Sequence, residues 1–166
     1  MVVLGIDPGL ASTGYGVLES RQGALTARDR GVIETRAGAP QERRLADIHA
    51  AVVALLRDHE PDAVALEELY FGANVRTAFA VGHARGVAVL AAGQRGLPCA
   101  SYTPQQVKAA VCGNGRAGKD QVARMVAMLL GLGEPPPADH AADALAVAMC
   151  HANRTPLTSA LAPAAR

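Results

Sequence analysis

At 166 residues the chain has the size of one domain, which excludes two-domain kinases and motor ATPases. Half of its residues are apolar, but 35 of these are alanine, against 36 valine, isoleucine and leucine together and only 5 aromatics, so the core is expected to be aliphatic under closely packed alanine-rich helices. A net charge of +1 hides an uneven spread: residues 1–68 carry 7 basic and 11 acidic groups, while residues 69–133 set Arg76, Arg85, Arg95, Lys108, Arg116, Lys119 and Arg124 against Asp120 alone.

Val2 to Ile6 is a short β-branched run closed by Asp7-Pro8-Gly9, and reads as a buried strand ending in a turn. Thr13–Leu18 and Leu25–Thr35 read as two further strands of an antiparallel meander, joined around Gly23. Over Gln41–His59, Leu45, Ile48, Val52, Leu55 and Leu56 recur at helical spacing until Pro61 stops the pattern. Asp62–Leu66 is a fourth strand, followed by Glu67-Glu68. The spacing of Phe79, Val81, Val87 and Leu90 predicts a long helix over 74–95, whose small residues would let another backbone approach closely. Leu97–Tyr102 is a fifth strand. Thr103-Pro104-Gln105-Gln106 then supplies an N-cap, a proline at N1 and a glutamine at N3, so a helix should start at Pro104. Gly113–Gly118 is a loop, Lys119–Leu130 a helix, Pro135 to Pro137 a rigid break, and Asp139–His151 a last helix.

Meander, helix, strand, helix, strand and terminal helices is the order of the RNase H-like architecture: an α/β fold with a five-stranded mixed sheet, its first three strands antiparallel, flanked by helices on both faces. One domain is expected over residues 1–153, with a flexible C-terminal tail over 154–166. No uncharged apolar run reaches the roughly 18 residues of a spanning helix, and Met-Val-Val-Leu lacks the basic flank of a leader, so a soluble, cytoplasmic protein without membrane association is expected. Cys99, Cys112 and Cys150 are odd in number and widely spaced, and read as buried free thiols.

Acidic residues stand at the ends of elements that this topology brings together. Asp7 ends the first strand, Glu67 follows the fourth, and His140 and Asp143 share one face of the last helix. Singly, each acidic residue has a plainer reading: Asp7 as a turn former, Asp139 as a helix cap, Glu67 and Glu68 as a solvated loop. Together at one end of a sheet they would repel one another unless cations or protons intervene. Carboxylate oxygens suit Mg²⁺ or Mn²⁺, and two such ions about 3.5 to 4 Å apart activate water on one side of a phosphodiester and stabilise the leaving oxygen on the other. The basic middle of the chain suits a polyanionic partner, although a solvated helical face would carry the same charge.

Gly5-Ile6-Asp7-Pro8-Gly9, Thr13-Gly14-Tyr15-Gly16-Val17, Leu66-Glu67-Glu68-Leu69-Tyr70-Phe71, Ala84-Arg85-Gly86 and His140-Ala141-Ala142-Asp143-Ala144-Leu145-Ala146 closely resemble, in order and spacing from residue 2 to about 151, the RuvC family of bacterial Holliday junction resolvases. The resemblance implies a homodimeric, Mg²⁺-dependent endonuclease that nicks opposing strands of four-way junction DNA symmetrically in recombination and repair, working with RuvA and RuvB. Family roles carry over to Asp7, Glu67 and Asp143 as metal-binding carboxylates. His140 stands where many members have aspartate, and it is expected to act as ligand or base and to favour manganese more than an all-carboxylate site would, with Asp139 the competing ligand. Lys108 and Lys119 match lysines that contact phosphates near the active site; Arg76 and Arg85 belong to the segment approaching DNA and the dimer partner; Arg116 is a further candidate DNA contact. Tyr70 matches a position that stacks on an unpaired base, with a partly buried core tyrosine as its plainer reading. His49, His59, His83 and His151 read as surface or packing residues.

Two enzymatic rivals are weaker. Gly113 to Lys119 fits the spacing of a phosphate loop, but Asp120 follows the lysine where Ser or Thr is needed, and a helix, not a strand, is expected before it. Actin-like ATPases share the core architecture but need two such domains around their nucleotide. A catalytically weak junction-binding protein is the third reading, with loss of metal binding as its signature.

Overall fold

The computed structural model describes residues 1–68, 75–134, 136 and 139–161, with side chains described except at 75–77 and 155–161. The elements run β1 (Val2–Asp7), β2 (Ser12–Arg21), β3 (Ala24–Glu34), α1 (Gln41–His59), β4 (Ala63–Glu67), α2 (Val75–Gln94), β5 (Cys99–Tyr102), α3 (Pro104–Cys112), α4 (Lys119–Leu129) and α5 (Asp139–Leu161). They form one sheet in the order β3-β2-β1-β4-β5. β1, β2 and β3 pair antiparallel, whereas β4 joins β1 and β5 joins β4 in parallel. The expected mixed sheet is therefore observed, with β1 and β4 as neighbours.

Local chemistry accounts for the element ends. The β2–β3 hairpin turns through Gln22 and Gly23, at φ 52° and 83°, the pair of positive values that suits the twist of a two-residue hairpin. α1 buries Ile48, Val52 and Leu56 and stops at Glu60, left-handed at φ 44°, before Pro61. At the start of α3 the Thr103 hydroxyl accepts from the Gln106 amide at 3.2 Å, and the Gln106 side chain accepts from the Thr103 amide at 2.9 Å. This reciprocal cap, with Pro104 in the first turn, is the one its sequence predicts.

The sheet separates two apolar layers. Leu4, Ile6, Val17, Val64 and Leu66 face α1 and α2 with Ile48, Val52, Leu56, Ala88 and Ala91. Val3, Leu18 and Ala65 face the opposite layer, where Leu145, Met149, Val107 and Val126 of α5, α3 and α4 pack. α5 lies directly on β1, β2 and β4. On this second face a helix backbone approaches the sheet closely. A Cβ on Gly5 would stand 2.0 Å from the Ala144 carbonyl oxygen, one on Gly14 2.0 Å from that of His140, and one on Gly16 2.7 Å from Leu145 Cγ, whereas one on Gly86 or Gly93 of α2 would meet no other part of the described residues within 4 Å. Three strand glycines thus seat α5 against the sheet.

Other expectations need correction. Cys150 is buried, but Cys112 is only partly covered and Cys99 is exposed, because β5 is an edge strand; all three are free thiols. α5 runs to Leu161, past the end expected at His151, and 162–166 lie outside the described residues. Among the described residues no helix is long and apolar enough to cross a membrane.

Candidate active site

Asp7 and Glu67 reach the same end of the sheet because β1 and β4 are parallel and in register through Ile6 and Leu66, which places the next residue of each strand side by side. The turn after Asp7 is pinned by Thr13, whose hydroxyl donates to the Gly9 carbonyl at 2.7 Å and accepts from the Gly9 amide at 3.3 Å. Across this end lies the first turn of α5, held close by Gly14. His140 Nδ1 lies 2.7 Å from Asp7 Oδ2, and one ligand atom from each of Asp7, His140 and Asp143 falls within 4.8 Å of the others.

The electrostatics are those of crowded acids with limited compensation. Burial pushes the Glu67 carboxyl up to about 7, helped by the charges of Asp7 and Asp143 and opposed by Lys108 and Lys119. Burial also raises Asp7, with Asp143 adding to it, while the His140 hydrogen bond pulls the other way. Lys119, the first residue of α4, sits 3.3 Å from Asp143 and 3.4 Å from Asp139. Burial alone would lower its pKa, but the two carboxylates outweigh burial and leave it raised.

A cavity of about 240 Å³ opens beside this cluster, lined by Glu67, Asp143, Lys108 and Lys119 and floored by Val107, Val122 and Val147. Oxygen donors, one imidazole nitrogen and two ammonium groups are the inventory for a divalent ion and a phosphate. The donor set of Asp7, His140 and Asp143 fits Mg²⁺ or Mn²⁺, with Glu67 beside it.

Asp139 stands outside the three-residue ligand group and pairs with Lys119, so the structure gathers His140 in preference to its neighbour. Lys108 and Lys119 share the cavity wall. Arg85, on α2, is not among the residues that line it: its terminal nitrogen donates to Ser101 Oγ at 2.5 Å, and its buried Nε has no partner among the described residues. Arg116 is exposed in the α3–α4 loop, its amide donating to Asn114 Oδ1 at 3.0 Å. Tyr70 and the Arg76 side chain lie outside the described residues. The other histidines hold elements together: His59 pairs with Asp29 at 3.0 Å, His83 with Gln41 at 2.9 Å, His49 with Gln94 at 3.1 Å and His151 with the Tyr102 hydroxyl at 2.8 Å. Helix α3 precedes the Gly113–Lys119 loop, the wrong context for a nucleotide phosphate loop.

Sequence reasoning missed the Asp139–Lys119 pair and the seating role of Gly14. A signal for the second exists in the alternation Gly14-Tyr15-Gly16, which leaves one face of β2 bare.

Fold and donor set define a class: an RNase H-like domain with a site suited to divalent-metal phosphodiester hydrolysis. A family model for crossover junction endodeoxyribonuclease RuvC matches residues 3–151. A protein of that name from Moorella thermoacetica is 54% identical over 156 residues, 94% of this chain and 93% of the relative. Another from Pelotomaculum thermopropionicum is 50% identical over 153 residues, 92% and 93% of the two chains. The structure of T. thermophilus RuvC in complex with Holliday junction substrate superposes with a TM-score of 0.91 at 40% identity, covering 96% of this chain and 97% of that one. The yeast mitochondrial Holliday junction resolvase Ydc2, at 15% identity and a TM-score of 0.64, covers 91% of this chain and 78% of its own and shares the fold. The chain belongs to the RuvC family.

Proposed function

We propose that this chain resolves four-way DNA junctions by symmetric, divalent-metal-dependent hydrolysis of two phosphodiester bonds, as the names of its relatives and the junction complex of its structural neighbour support. The observation that carries this reading is the convergence of Asp7, His140 and Asp143 within 4.8 Å at the sheet end, beside Glu67 and two lysines.

Asp7, Glu67, His140 and Asp143 are the proposed ligands of two Mg²⁺ or Mn²⁺ ions. Bound there, the ions would supply an activated water and stabilise the leaving oxygen of an in-line displacement. The chain's own groups do the rest. Lys108 and Lys119 offer positive charge to the scissile phosphate from the cavity wall. His140, hydrogen-bonded to Asp7, has its ring orientation fixed by that carboxylate and leaves its other nitrogen for a ligand or a water. Glu67 carries a proton through weakly acidic pH and releases it near neutrality, so its readiness to accept a cation rises as the pH passes about 7.

Two active sites on one junction require two copies of the chain. α2 supports such pairing: Phe79 and Leu90 are 65% and 55% exposed, about three helical turns apart on one face. Arg85 and Arg116, which are not among the residues lining the catalytic cavity, belong with Arg76 to the proposed DNA track, and Tyr70 to the proposed junction centre. RuvA and RuvB are the partners, and the cytoplasm the compartment, that family membership suggests.

The test is to incubate the purified chain with an end-labelled four-way junction and a matched linear duplex in Mg²⁺, Mn²⁺ or EDTA. Paired nicks in the junction alone, dependent on metal and abolished by Asp7→Asn, are expected. Binding without cutting in either metal would leave a junction-binding protein and overturn the catalytic reading.

A further inference from the structure

Asp139 is the acidic residue that the site brings near but does not gather. Its side chain is 76% exposed, it lies outside the group formed by Asp7, His140 and Asp143, and its Oδ2 stands 3.4 Å from Lys119 Nζ. The same ammonium stands 3.3 Å from Asp143 Oδ2. Asp139 and Asp143 are one helical turn apart on α5, and Lys119, opening α4, reaches between them. One cation of the chain is therefore shared between a proposed metal ligand and a carboxylate outside the Asp7, His140 and Asp143 group.

That sharing has a consequence for metal binding. A divalent ion and an ammonium cannot both sit against one carboxylate oxygen without mutual repulsion, so an ion taken by Asp143 must loosen Lys119 from it. A lysine with no second anchor would either hold Asp143 more tightly or, once displaced, lose its place at the cavity wall. Resting on the proposed function above, we infer that Asp139 is a positioning residue for Lys119: it draws the ammonium partly off Asp143, easing entry of the divalent ion. It also keeps the lysine at the cavity rim, where the substrate phosphate arrives. Asp139 then acts through Lys119 and touches neither metal nor substrate.

A double-mutant cycle on Mn²⁺ affinity separates this from direct ligation. Calorimetric titration of the full chain with Mn²⁺, without DNA, compares the native chain, Asp139→Asn, Lys119→Met and the double variant, with thermal unfolding confirming that each is folded. Asp139→Asn is expected to weaken Mn²⁺ about three- to fivefold while Lys119 is present, the scale of an exposed ion pair. In the Lys119→Met background the same change should cost less than about twofold, what remains being screened charge at a distance. Lys119→Met alone should tighten Mn²⁺, and Asp139→Glu should restore most of the native affinity. Equal weakening by Asp139→Asn with and without Lys119 would make Asp139 a ligand and overturn the inference, as would no effect while Lys119 is present. A native chain that binds no Mn²⁺ would instead remove the metal-site reading, and this inference with it.

Discussion

The two faces of the sheet are packed on different terms. Toward α1 and α2 the strands present Leu4, Ile6, Val17, Val64 and Leu66, all fully buried, and they pack against Ile48, Val52 and Leu56 of α1 and the alanines of α2. Toward α5, β1 and β2 present Gly5, Gly14 and Gly16, and the helix backbone rests almost on the strands. The first arrangement stabilises by buried apolar area, about 25 cal/mol per Å². The second gives up side-chain volume to fix a helix end within hydrogen-bond reach of Asp7. Both faces bury an apolar layer, and the α5 face in addition sets the geometry of the proposed metal site.

Substitutions on each side should therefore fail differently. The largest effect belongs to Asp7→Asn, which should lower junction nicking at least about 10³-fold, the scale of removing one member of a catalytic unit, while thermal unfolding shows an intact fold. Gly14→Ala comes next. Its Cβ would stand 2.0 Å from the His140 carbonyl oxygen and 2.4 Å from the carbonyl carbon, so the start of α5 must shift. Displacement on that scale should slow nicking about a hundredfold and cost about 1–3 kcal/mol in denaturant unfolding. Ile48→Ala, on the other face and fully buried, should cost about 2–5 kcal/mol and leave Mn²⁺ affinity unchanged in the folded protein. A comparable loss of metal affinity from Ile48→Ala would erase the distinction between the faces.

A smaller effect concerns pH. In the folded, metal-free chain Glu67 titrates at about 7 instead of its ordinary 4.5, so the folded state retains a proton that the unfolded chain releases. Its contribution to stability is complete below about 4.5 and is lost as the pH rises through about 7; the raised Asp7 acts in the same direction. In EDTA the unfolding temperature should thus fall by a few degrees between pH 5 and pH 8, with Glu67→Gln flattening part of the slope and Mn²⁺ restoring stability at pH 8. A metal-free profile that rises over this range would contradict the burial of Glu67 among like charges.

Much of this was legible in the chain because the signals are local. Apolar periodicity marks α1, the Thr103 to Gln106 box marks the start of α3, and acids at strand ends mark Asp7 and Glu67, which the parallel pairing of β1 and β4 then sets side by side. The spacing of His140 and Asp143 put them on one helical face, and the structure adds the 2.7 Å contact that ties that face to Asp7. What was not legible depends on separate elements meeting. Nothing near Asp139 announces that the first residue of α4 will stand beside it, because that pairing is set by how α4 and α5 cross. Small residues permit close approach, but which backbone comes nearest them is a property of how the helices lie on the sheet's two faces. The exposure of Cys99 follows from β5 lying at the edge, a matter of strand order that composition does not carry.

The most direct test is crystallographic: diffraction from Mn²⁺-loaded crystals, collected where manganese scatters anomalously. An anomalous peak within ligand distance of Asp7, His140 and Asp143, with Asp139 still beside Lys119, is the predicted result. A peak ligated by Asp139 in place of His140, or manganese bound only away from the end of β1, would contradict the account.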